Sequence, residues 1–167
     1  MDGKLLFEGD YSNGQRNGKG KEFYENGVVK FEGEYLKGKE WNGKIYDQQK
    51  NETYILKGGK GLIKEYNKCG YIKFEGEYLN GERNGKGKEY YDNGDLKFEG
   101  EYLNGVKNGK GKEYDLDGKL EFEGEYLNGK RNGKGKEFYE NGSLEFVGEY
   151  LNGEKKGKSK KYECIVN

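Results

Sequence analysis

The sequence predicts an all-β fold: an elongated, single-layer antiparallel sheet of about seven tandem β-hairpins. Three observations carry this reading. A motif Phe-x-Gly-x-Tyr starts at Phe7, Phe31, Phe74, Phe98, Phe122 and Phe146, at spacings of 24, 43, 24, 24 and 24 residues. Within it the side chains alternate, so that Phe122, Gly124 and Tyr126 share one side of a strand while Glu123, Glu125 and Leu127 share the other. Asn-Gly pairs punctuate the runs, and such pairs favour tight hairpin turns because both residues tolerate positive φ. A fixed period of this kind argues for a linear array, in which each unit stacks on its neighbours, over a globule with one centre.

The first hairpin runs from Leu5 to about Gly27 and is regular. The second opens on Phe31-Glu32-Gly33-Glu34-Tyr35 and then departs, with Trp41, the only Trp, where the other hairpins have Asn. The gap of 43 residues conceals a third, degenerate hairpin. There Tyr54 stands in for Phe, Leu56 for the strand Gly and Ile63 for what reads as a loop Gly, and about four turn residues are missing. Hairpins four to six, from Phe74 to Gly142, are nearly identical; the seventh decays, with Ser159 in place of Gly. The expected organisation is one array over residues 1–167, with regular hairpins at 5–40 and 71–162, an irregular segment at 41–70 and a C-terminal cap at 159–167. Fourteen strands at ~4.8 Å spacing would make a ribbon on the order of 65 Å long.

Glycine numbers 31 and proline is absent. Glycines recur at strand centres, where each leaves a slot in which a ring from a neighbouring position can lie. On the charged side, Lys134 and Lys136 of the returning strand are placed to pair with Glu123 and Glu125. The aromatic sixteen residues after each anchor (Phe23, Tyr90, Tyr114, Phe138, Tyr162) joins the charged side under strict alternation, and a bulge near Glu137 is expected to return it to the rings.

Charge is high but balanced, with 31 basic and 31 acidic residues finely interleaved, which gives no one-signed field for nucleic acid. Only Lys155 to Lys161 is locally basic, and such runs are ordinarily solvated. The chain has no His, which removes the commonest general base and metal ligand. Cys69 and Cys164 have no companion ligands nearby, and Gly129-Lys130-Arg131-Asn132-Gly133 lacks the spacing of a phosphate loop. The glutamates recur in every repeat, whereas a catalytic pair should be unique. The expectation is no enzyme activity and no cofactor. The chain enters its first repeat at once, without an apolar leader, so a cytoplasmic location is expected.

The pattern Phe/Tyr-x-Gly-x-Tyr-x-Asn-Gly-x-x-x-Gly-x-Gly resembles MORN repeats, and Lys-Glu-Tyr-Tyr-Asp-Asn-Gly at 88–94 resembles a variant form of them. The resemblance runs from Leu5 to Tyr162. It implies a scaffold or adaptor that binds a protein partner, or a second copy of the chain, along an aromatic groove. The residues it marks are Tyr35, Tyr78, Tyr102 and Tyr126, with Phe74, Phe98 and Phe122 as their floor, and Trp41 as a departure specific to this chain. A single sheet leaves that aromatic side without an obvious cover, which favours a binding role. A phospholipid or membrane-surface module is the alternative, disfavoured by balanced charge. An antitoxin-like role or an aromatic ligand-binding array, which would need a Trp in most repeats, follows behind.

Overall fold

The computed structural model describes residues 3–48 and 52–163. Gln49 to Asn51 of the irregular segment and Cys164 to Asn167 of the expected cap lie outside them. The chain divides into two compact units, Met1–Arg83 and Asn84–Asn167. Among the described residues no helix is long and apolar enough to cross a membrane.

In the first unit β1 (Phe7–Ser12), β2 (Gln15–Phe23), β3 (Val29–Leu36), β4 (Lys39–Tyr46) and β5 (Thr53–Leu56) form a five-stranded sheet in chain order. β6 (Gly61–Tyr66) pairs with β7 (Ile72–Leu79). β8 (Glu82–Tyr90) leads into the second unit. There it pairs with β9 (Leu96–Leu103), followed in order by β10 (Val106–Tyr114), β11 (Leu120–Leu127), β12 (Lys130–Phe138), β13 (Leu144–Leu151) and β14 (Glu154–Lys161). Every pairing is antiparallel, so the sheets are open arrays of hairpins as the periodicity predicts.

The three Asn-Gly pairs of a unit do three different jobs. Asn128-Gly129 is the hairpin turn, with φ of 50° and 82° at its two central residues, the pairing of signs that a two-residue turn between twisted strands requires. Asn132-Gly133 is no turn. It lies inside β12 at a bulge, where the register with β11 slips between Gly124 and Tyr126. The Asn132 side chain accepts a hydrogen bond from the backbone N–H of Asn152, in the turn of the next hairpin, at 3.2 Å. Asn17 and Asn108 do the same for Lys37 and Asn128. Asn141-Gly142 joins one hairpin to the next, with the Asn141 carboxamide accepting the Ser143 N–H. Where the sequence has Asp115 in place of the preceding Tyr, the Asp115 carboxylate takes over by accepting the N–H groups of Asp117 and Lys119.

The third hairpin departs in a way its length only partly foretold. β5 and β6 share the two-residue turn Gly58-Gly59 and a single bridge, Lys57 to Lys60; beyond it the ladder between them stops. Ile63 is not in a loop. It sits in β6 opposite Gly76 and is buried, as is Leu56 opposite Gly43.

The glycines at strand centres carry the packing. A Cβ on Gly124 would fall 2.5 Å from the Phe122 ring and 2.7 Å from the Lys134 carbonyl oxygen, and one on Gly135 would fall 2.6 Å from the same ring. Replacing Gly124 by Val should lower unfolding free energy by about 1–3 kcal/mol, seen as a lower urea midpoint with an unchanged slope. Gly142→Asn, in open space at a turn that Asn tolerates, should stay near the parent.

Candidate interaction surface

On the ring side, Phe31, Phe74, Phe98 and Phe122 are completely buried. Phe98 folds back over Gly100 of its own strand and Gly111 of the returning strand, as Phe122 does over Gly124 and Gly135, and Phe31 lies against Gly43. The tyrosines fill the spaces between hairpins. Tyr126 meets the edge of Phe98 in the preceding hairpin and of Phe122 in its own, with ring centroids 5.3 and 5.6 Å apart and planes near perpendicular. Tyr150 repeats this with Phe122 and Phe146, and Tyr35 with Phe7 and Phe31. Edge-to-face pairs of this kind contribute ~0.5–1.5 kcal/mol each beyond their burial.

In the sequence pattern the rings have no obvious cover. The structure supplies one from the chain itself. A cation lies over each regular Phe ring: Arg16 over Phe7, Arg83 over Phe74, Lys107 over Phe98, Arg131 over Phe122 and Lys155 over Phe146, at 3.9 to 4.3 Å from the centroids. These cations are tied to glutamates on the same side. Arg131 donates to Glu113 of the preceding hairpin and to Glu137 of its own, both at 3.1 Å. Arg83 grips Glu65, Lys155 pairs with Glu137, and Glu22 holds Arg16 and Lys30. Burial raises the pKa of Glu22, Glu65 and Glu113, but their cations outweigh it and hold all three below the usual carboxylate range. The tyrosine hydroxyls point into this lattice: Tyr78 donates to Glu65 at 2.5 Å, and Tyr126 and Tyr150 face Glu113 and Glu137.

Hairpin two breaks the lattice. At the position of the lid cations it has Glu40, opposite Tyr35, and at the position of the lattice glutamate it has Ile45, which is buried with Leu56 and Ile63. In the third hairpin Leu56 and Ile63 fill what a Phe ring over two glycines fills elsewhere. Trp41, half-buried, accepts the Gly59 N–H on its carbonyl at 2.7 Å and packs its ring on that turn. It anchors the third hairpin.

The other side is polar and built differently from the expectation. Glu101 and Glu125 do not pair chiefly with lysine heads. Their carboxylates plug the bulges, accepting the backbone N–H of Lys110 and Lys134 at 2.8 and 3.1 Å. Gly109 is required for its φ of 105°, and a Cβ there, 2.0 Å from the Glu101 carboxylate, would push that carboxylate out of the bulge. Lysine–glutamate pairs do occur, as Lys21 with Glu32 and Lys112 with Glu123. The expected register slip between Glu137 and Phe138 is present, but the extra residue lies on β13, so the returning aromatic keeps its alternation. Tyr114 accordingly donates to Glu99 on the charged side at 2.7 Å, while Glu137, opposite Phe122, is the residue that joins the rings. Leu103, Leu127 and Leu151 end their strands on this side with about half their surface exposed.

Of the residues marked from the sequence, Phe74, Phe98, Phe122, Tyr35, Tyr102 and Tyr126 are buried and Tyr78 and Trp41 half-buried. A partner approaching the ring side meets cation and glutamate heads before any of those rings. The lid cations are not among the marked residues, although a basic residue recurs nine positions after Phe7, Phe74, Phe98, Phe122 and Phe146.

Glu40 makes the lattice defect testable. Burial, then the neighbouring Glu22 and Glu65, push its pKa up to about 7 against the opposing pull of Lys30 and Arg16. The folded chain therefore holds a proton that the unfolded chain has released, and the stability this gives is lost as pH rises through about 7. The lattice carboxylates have the opposite sign, stabilising above the usual carboxylate range and failing below it. Glu40→Gln should match the parent near pH 5 and exceed it at pH 8 by on the order of 1 kcal/mol in urea unfolding. A difference that does not change with pH would show Glu40 to be ionised throughout.

No curated protein matches the chain. The family model for the MORN repeat matches residues 7–29, 74–96, 98–119 and 122–144. These stretches are hairpins one and four to six, where a lid cation covers each Phe; the second, third and seventh hairpins, which replace lattice residues, fall outside the matches. MORN repeats are non-enzymatic modules associated with scaffold roles that bind proteins or membrane lipids. With more than half its length matched and every matched repeat folded as a hairpin, the chain belongs to the MORN repeat family.

Proposed function

We propose that the chain is a non-catalytic scaffold that binds a protein partner, and that the side opposite the rings supplies the contact. The observation that carries this is the leucine row. Leu103, Leu127 and Leu151 occupy the same strand-end position in successive hairpins, 47%, 48% and 50% exposed, set among charged side chains. Single exposed leucines are ordinary, but one per repeat at constant phase on a stiff support makes a periodic apolar line with a polar rim. The ring side contributes rigidity: its aromatics are occupied with one another and capped by their own lattice.

The test is affinity capture of the tagged chain from its native cells at moderate salt, alongside the Leu103→Ser, Leu127→Ser, Leu151→Ser variant. The parent should retain a stoichiometric protein partner, and the variant should lose it by about tenfold or more while melting at the parent temperature. Equal retention would remove the leucine row from the contact. Recovery of the chain alone as a dimer would make it a structural spacer. Sedimentation with anionic vesicles at low salt, with no protein captured, would replace the reading by a membrane-surface one.

A further inference from the structure

Within the second unit the returning strands β10 and β12 each lie between two acidic strands. β12 is flanked by β11 and β13, with Lys136 opposite Glu123 on one side and Lys134 opposite Glu149 on the other. Among the described residues, β14 pairs with β13 alone. Its described residues are exposed from end to end, and Ser159 lies open where the matching Gly135 of β12 is buried. An edge strand of this kind offers a row of backbone donors and acceptors to an incoming strand.

The side chains of β14 specify which strand would be admitted. Lys155, Lys156, Lys160 and Lys161 stand against one acidic residue, Glu154. Two departures from the repeat sharpen the bias. Lys161 occupies the place of Glu137, opposite the anchor Phe, and Val147 replaces the glutamate that would face Lys160. Tyr162 is 40% exposed and lines a shallow groove with Val147, Lys136, Lys160 and Glu123. Lysines on an edge are a common guard against pairing, and here they guard selectively: two copies of β14 laid together would oppose lysine to lysine, whereas an acidic strand would find partners in Lys156 and Lys160, Lys155 being already held by Glu137.

We propose that the outer edge of β14 captures an extended, acidic strand of a protein partner, which pairs with it as β13 pairs with β12. The proposal rests on the scaffold reading for the class of ligand and adds the site and its charge.

The probe is a fluorescein-labelled peptide of Gly118–Gly129, the chain's own acidic strand, titrated into the full chain at about 0.05 M and 0.5 M salt. Binding should weaken with salt, and amide exchange should show new protection confined to residues 154–161. Lys156→Glu with Lys160→Glu, both at exposed positions, should cut affinity by about tenfold or more, and a peptide with Glu121, Glu123 and Glu125 changed to Lys should bind that variant in preference to the parent. Absence of binding at low salt, protection elsewhere, or equal affinity for parent and variant would overturn the proposal. A cellular partner that the lysine variant keeps and the leucine variant loses would remove this edge while leaving the scaffold standing.

Discussion

The structure depends on one steric exchange: a phenylalanine ring takes the volume that two side chains have vacated. Phe122 can lie flat over Gly124 and Gly135 because neither has a Cβ, and the clash distances show that none could be added without moving the ring or the backbone. That exchange explains how a chain with 31 glycines and few aliphatic residues keeps an ordered sheet. Glycine in a strand ordinarily weakens it by adding entropy to the unfolded chain and removing a packing surface. Here the second penalty is reversed, since the missing surface is the receptor for the ring.

The rest of the ring side follows from placing a polarisable face upward. An exposed Phe face attracts a cation, the cation needs a counter-charge, and the glutamate fifteen residues after the anchor provides it across hairpins. The tyrosine edges and hydroxyls then close the remaining gap. Each contact is individually modest, at ~0.5–1 kcal/mol for an exposed cation over a ring. Their repetition in register ties each hairpin to its neighbour, as a nearest-neighbour array requires.

The third hairpin shows what happens when the exchange is abandoned. Once Leu56 and Ile63 occupy the glycine positions there is no slot for a ring, and an aliphatic cluster with Phe31, Tyr35 and Ile45 replaces the aromatic one. Glu40, half-buried in the neighbouring second hairpin, faces Glu22 and Glu65, and its charge becomes costly. The interrupted ladder between β5 and β6 lies at the same place. Trp41, the most conspicuous departure in the sequence, serves as the packing support of that junction.

The sequence by itself determined the repeat, its hairpin form and the side on which each residue of the first strand lies, because alternation and turn chemistry are local properties of the chain. It also marked the Phe and Tyr set as structurally coupled. What it could not determine was the phase of the returning strand. The bulge at Asn132-Gly133 and the extra residue on β13 shift that phase in steps that cancel or persist according to which strand carries the extra residue, and only pairing decides this. For that reason Phe138, which the sequence pattern places with the rings, lies on the charged side, and Glu137 takes the ring side opposite Phe122. The cover over the rings was hidden for the same cause: Arg131, Glu113 and Glu137 are brought together by three strands whose register is a tertiary property, although each residue recurs visibly on its own.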